Sequence, residues 1–162
     1  MILDLLKALR RNHAVEHATA KMLMAKMKER PRLIGRATTD GFYIYGDVSA
    51  ETVSQAAEEG LSRLKHGEND LAISPLCGTN LSVAVLLAGL ASMLTFRGKR
   101  GNNRLSYSIM ASLAAIALSQ PLGKFAQRYL TTSSDVANVS ISEITSKGEG
   151  NRTRHKIKTL QG

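Results

Sequence analysis

The chain has 162 residues, of which 43% are hydrophobic and 22% charged, with only three prolines, so it has the length and composition of an ordered domain rather than a disordered polyelectrolyte. Its formal net charge of +9 points toward a polyanion, yet residues 1–76 hold eleven Lys/Arg against ten Asp/Glu, and the excess falls in 97–104 and 124–158. Basic residues beside apolar segments are usual at membrane surfaces, and no nucleic-acid-binding motif is present, so nucleic acid is not an expected partner.

In chain order, residues 2–28 read as an amphipathic helix. Ile2, Leu5, Leu6, Leu9, His13, Glu16, His17, Ala20, Leu23, Met24 and Met27 fall within about 120° of arc, with Pro31 as the stop. Residues 33–38 and 42–46 alternate around Thr39-Asp40-Gly41, a hairpin signal. Ser49 is an N-cap for a second helix with a stripe of Val53, Ala57, Leu61 and Leu64, ending at His66-Gly67. A short strand is expected at Asp70–Ser74. Val139, Ile141, Ile144 and Ile157 mark a second hairpin, 138–145 with 152–160, turning at Lys147–Asn151 and joining the first in a small mixed sheet. His155, among basic residues, is expected in solvent.

Two uncharged runs, Cys77–Phe96 and Leu105–Gly123, each have the length of a bilayer span. Small residues recur every fourth position: Ala84, Ala88 and Ser92, then Ser108 and Ser112, with Ala111, Ala115 and Ser119 alongside. That spacing lets two helices approach closely in lipid. The expected fold is therefore α+β, interrupted by a transmembrane hairpin (77–123, spans near 79–96 and 105–122). Residues 1–76 and 124–162 would form one domain on one membrane face. Residues 1–17 lack the features of a signal peptide, so targeting is expected from the internal spans. Basic residues are balanced at the two ends of the spans, four in the connecting loop (Arg97, Lys99, Arg100, Arg104) and four near the other ends (Arg63, Lys65, Lys124, Arg128). The lone thiol, Cys77, permits no intramolecular disulfide and favours a cytoplasmic domain.

His13-x-x-Glu16-His17 on a helix is the inverzincin arrangement. Histidines at i and i+4 share one face and can share a zinc, while the glutamate between them can polarise water. Cys77 is the candidate third ligand, and Thr79 and Asn80 are candidates for hydrogen bonds that orient the histidines. The same residues also suit a buried polar cluster that is purely structural.

The segments RNHAVEHAT (11–19) and AISPLCGTN (72–80) resemble an uncharacterised family of two-pass bacterial membrane proteins of cyanobacterial and Chloroflexi type, domain of unknown function 6391. Gly41–Gly46 and Gly67-Glu68 are similar as well, so the resemblance covers most of 10–132. More distantly, the paired motifs resemble the YqhQ-like membrane family, described as candidate metal-dependent enzymes. On that match His13, Glu16, His17 and Cys77 carry over. Ser74 stands where the distant family has a histidine, a departure that bears on catalysis more than on metal binding. The resemblance implies a membrane-anchored zinc protein with Glu16 as general base of a hydrolase. The alternative is a non-enzymatic accessory subunit of a membrane complex, or a homo-oligomer, with a structural His/Glu/Cys/Asn cluster.

Overall fold

The computed structural model describes residues 1–27, 32–98 and 103–162; Pro31, Lys99 and Arg100, which figure in the expectations above, lie outside them. These residues divide into two compact units, Met1–Ile73 with Leu130–Gly162, and Ser74–Tyr129.

The first unit is α+β. Helix α1 (Ile2–Lys26) is rich in Leu, Ala, Lys and Met, all strong helix formers. Strands β1 (Ile34–Thr38) and β2 (Gly41–Tyr45) pair antiparallel, with Thr38 opposite Gly41. The turn between them is Thr39-Asp40. Gly41 has φ +141°, and a Cβ there would lie 2.0 Å from the Ile157 carbonyl oxygen, so no other residue fits. Thr38 Oγ1 and Lys156 Nζ both donate to Asp40 Oδ1 at 2.8 Å. The Lys156 bond leads in holding the Asp40 pKa below the usual carboxylate value.

Helix α2 (Ala50–Lys65) begins as its sequence indicates, Ser49 Oγ accepting from the Thr52 N–H at 3.1 Å. Val53, Ala57, Leu61 and Leu64 all point into the core. Strands β3 (Val139–Lys147) and β4 (Arg154–Gln161) complete a sheet of order β1-β2-β4-β3. Every pairing is antiparallel, so the sheet is not mixed. The expected strand at 70–74 is instead a 3-10 turn, Asn69–Ala72. Its amides are spent locally, Leu71 N–H on Glu68 O and Ile73 N–H on Asp70 O, and Lys21 Nζ holds the Asp70 carbonyl, leaving no ladder to extend.

The core joins Val15, Ala18, Met22 and Leu23 of α1 to the α2 stripe and to Phe42, Ile44, Val139 and Ile157 of the sheet. Burying each large side chain contributes about 1.5–3 kcal/mol. The buried part of α1 differs from the expected stripe. Ala8, Asn12, Val15, Thr19 and Met22 line its centre, whereas Ile2, Leu5 and Leu6 are exposed. His155 is also buried rather than solvated. It shares the inner face with Ile157, and its Nδ1 pairs with Ser146 Oγ at 2.7 Å.

The second unit is a helical hairpin. Helix α3 (Gly78–Gly98) pairs with α4 (Arg104–Ala126), which continues as a π-turn, Gln127–Thr131. Both are long and apolar enough to cross a membrane. The expected small-residue faces meet: Ser92 Oγ and Ser108 Oγ lie 2.7 Å apart, and Ser112 Oγ donates to Ala88 O. Leu81, Leu86, Leu90, Ile109, Leu113 and Leu118 face outward.

Candidate metal centre

One helical turn separates His13 from His17, which brings their rings to 4.4 Å between centroids, tilted at 58°. Each ring is fixed by its Nδ1. His13 Nδ1 lies 2.9 Å from Thr131 O, and His17 Nδ1 lies 2.7 Å from Ala72 O. A carbonyl only accepts, so both Nδ1 atoms donate, and in a neutral ring the lone pair is then on Nε2. The acceptors are informative too. Ala72 ends the 3-10 turn and Thr131 ends the π-turn, so each histidine caps a helical end whose carbonyl has no partner within its own helix. This is the tautomer that metal-binding histidines adopt when a backbone carbonyl orients them.

Glu16 is buried beside them, with Oε2 3.9 Å from His13 Nε2. Its carboxyl lies over Gly35 of β1, where an added Cβ would fall 1.7 Å from Oε1. Asn12, one residue before the motif's first histidine, is fully buried and satisfied on both sides of its amide. Its Nδ2 donates to Thr38 O and Thr39 O, and its Oδ1 accepts from Thr159 and Gln161. These bonds lock the phase of α1 against the sheet, and with it the direction of the histidines.

Cys77 directly precedes α3 and is buried, the Thr79 N–H pointing at Sγ at 3.4 Å. His13 and His17 each offer one donor atom in the first unit, and Cys77 offers one in the second. A tetrahedral zinc takes ligands of these types at about 2.0–2.3 Å. Two neutral imidazoles and a thiolate are a fitting donor chemistry for it.

Asn80 is bonded within the hairpin unit. Its Nδ2 donates to Ser74 O and Pro75 O, and its Oδ1 accepts from Gln127 Nε2 at 2.8 Å. Gln127 also accepts from the Ser74 N–H, again at 2.8 Å, and is fully buried. The carbonyls of Ala72 and Thr131 hold the two imidazole Nδ1 atoms. Gln127 was missed in the sequence, although the four-residue series Ala111, Ala115, Ser119 extends directly to Gly123 and Gln127.

A family model described as a domain of unknown function (DUF6391) matches residues 8–144. The chain belongs to that family. An uncharacterized protein of the cyanobacterium Picosynechococcus sp. is 36% identical over 146 residues, which make up 84% of this chain and 71% of that protein. No solved structure matches the chain. The DUF6391 match begins at Ala8, where burial of α1 begins, and takes in His13, Glu16, His17, Cys77, Asn80 and Gln127. It ends within β3, so β4 and the first turns of α1 fall outside it.

Proposed function

We propose that this DUF6391 protein is a two-pass integral membrane protein carrying a zinc-type centre held by His13, His17 and Cys77. The observation that carries the proposal is the histidine pair, whose Nδ1 protons are committed to backbone carbonyls so that both Nε2 lone pairs serve as ligands. Cys77 is the third ligand of this reading, a thiolate donor of the kind zinc takes. Membrane insertion is supported by the hairpin surface: the most apolar stretch of α3 is only 6% buried, and that of α4 only 11%. In water so much exposed Leu, Ile and Val would drive association, whereas lipid solvates it. A lone thiol used as a ligand suits the reducing, cytoplasmic side.

Zinc so held supplies a Lewis acid and acidifies water, which is the basis of metal-assisted hydrolysis. In this reading Glu16, which lies over Gly35 and 3.9 Å from His13 Nε2, is the proton acceptor. A second reading, a non-enzymatic accessory subunit, is favoured by the capping role of the same histidines, which stabilises the fold with no ion.

Metal content and melting of the detergent-purified protein and two variants separate these readings. A metal centre predicts about one zinc per chain in the parent and in Glu16→Gln, with loss of the metal and a lower melting temperature in His17→Ala. A metal-free parent whose Glu16→Gln variant merely melts earlier would establish the structural reading instead.

A further inference from the structure

Helix α1 runs two turns beyond the core it packs against. Burial begins at Ala8, yet Ile2 and Leu3 are each 71% exposed, with Leu5 and Leu6 about half exposed. At about 100° per residue these four occupy roughly 160° of arc, with Asp4 on the opposite side and Lys7 about 40° beyond Leu3, at the edge of the face. A broad apolar face backed by charge is the pattern of a helix lying in a bilayer surface, whereas a helix that docks in a protein groove or coiled coil presents a narrower stripe.

The next turn ties α1 to the segment that follows the second apolar helix. The Ser133 N–H donates to Arg10 O at 3.1 Å, and Arg10 Nη2 donates to Thr132 O at 3.1 Å. Arg11 pairs with Asp135 at 2.7 Å, and His13 donates to Thr131 O at 2.9 Å. Residues 10–13 are thus fastened to 131–135, the segment that directly follows the long apolar helix Arg104–Thr131. Lys7, exposed at the edge of the apolar turns, is suited to lipid phosphates.

We propose that the first two turns of α1 lie in the membrane surface, with Ile2, Leu3, Leu5 and Leu6 at the acyl boundary of the lipid. The proposal rests on the two-pass reading above. It gives α1 two tasks, a lipid contact at one end and the histidine pair at the other.

The chain contains no tryptophan, so each Trp variant carries a single tryptophan. Leu3→Trp, Leu6→Trp and Asp4→Trp, with Leu90→Trp in α3 as membrane reference, are reconstituted into phosphatidylcholine vesicles with or without brominated acyl chains. Circular dichroism verifies that each retains the parent fold. Leu3→Trp and Leu6→Trp should be quenched by brominated chains at least roughly twofold more than Asp4→Trp, which should respond to aqueous acrylamide. If Leu3→Trp and Leu6→Trp respond to acrylamide like Asp4→Trp, or to neither quencher because protein covers them, the proposal is overturned while Leu90→Trp still reports lipid. If Leu90→Trp is itself open to acrylamide, the two-pass reading fails and this proposal with it.

Discussion

The two units are built inside out with respect to each other. In the α+β unit Phe42, Ile44, Leu23 and Ile157 are enclosed, and charged residues such as Arg36, Glu58 and Lys158 lie outward. In the hairpin the polar atoms of Ser92, Ser108, Ser112, Asn80 and Gln127 line the seam, and leucines face out. Water enforces the first arrangement through apolar burial. Lipid permits the second, because there helices associate through close packing and hydrogen bonds rather than through hydrophobic exclusion. Yet both units leave their key polar residues fully buried and fully bonded, Asn12 in one and Gln127 in the other.

The strongest way to break this contrast is at Asn12. Asn12→Ala leaves two carbonyls, the Thr159 hydroxyl and the Gln161 amide without their partner, and should lower unfolding free energy by about 3–4 kcal/mol. Denaturant titration in mild detergent measures this, and a loss under 1 kcal/mol would show that Asn12 does not lock α1. Next in size is Gly123→Ala. A Cβ there would lie 2.1 Å from Asn80 Oδ1 and 3.1 Å from Asn80 Cα, and the overpacking should cost about 2 kcal/mol. Adding Asn80→Ser should recover part of the loss in the same thermal melts; no recovery would place the strain elsewhere.

These two residues also show what the sequence makes legible. Caps and turns with local chemistry are readable: Ser49, the Asp40 hairpin and the α2 stripe stand where their patterns indicate. The phase of α1 is not, because Leu5 and Leu6 are apolar for a reason other than the core, and because Asn12 is a buried polar residue that a hydrophobic stripe passes over. Strand alternation did contain the answer for His155, two residues from Ile157 on the inner face, but the flanking Arg154 and Lys156 drew attention to the solvent side. Of the candidate site, residue types and helical spacing give the histidine pair. The carbonyls of Ala72 and Thr131 that fix its tautomer are backbone atoms of distant segments, and no side-chain pattern announces them.

A smaller effect distinguishes the water-facing unit by pH. Burial holds the His155 pKa below its ordinary value of 6.5, offset in part by the backbone of Val48. The unfolded chain therefore takes up a proton that the folded chain resists, so stability should be constant above pH 6.5 and fall as pH drops below it. Melting temperature against pH measures the slope, and His155→Gln should flatten it. An unchanged slope in His155→Gln would assign the acid sensitivity to another group. Smallest of all is Ser92→Ala, which removes one interhelical hydrogen bond and should weaken the hairpin by only about 0.6 kcal/mol in lipid. A loss several times larger by steric-trap or denaturant measurement would mean that the seam is held more by polar bonds than by packing.

The central claim, that two histidines of α1 and the thiol before α3 hold one metal ion, is tested most directly by cobalt titration of the metal-free protein in detergent. A ligand set of His13, His17 and Cys77 predicts the visible bands of a tetrahedral ion together with a thiolate-to-cobalt charge-transfer band in the near ultraviolet. Cys77→Ser should abolish the charge-transfer band, and His17→Ala should weaken cobalt binding itself. Absence of both bands in the parent protein, or a charge-transfer band that survives in Cys77→Ser, would contradict it.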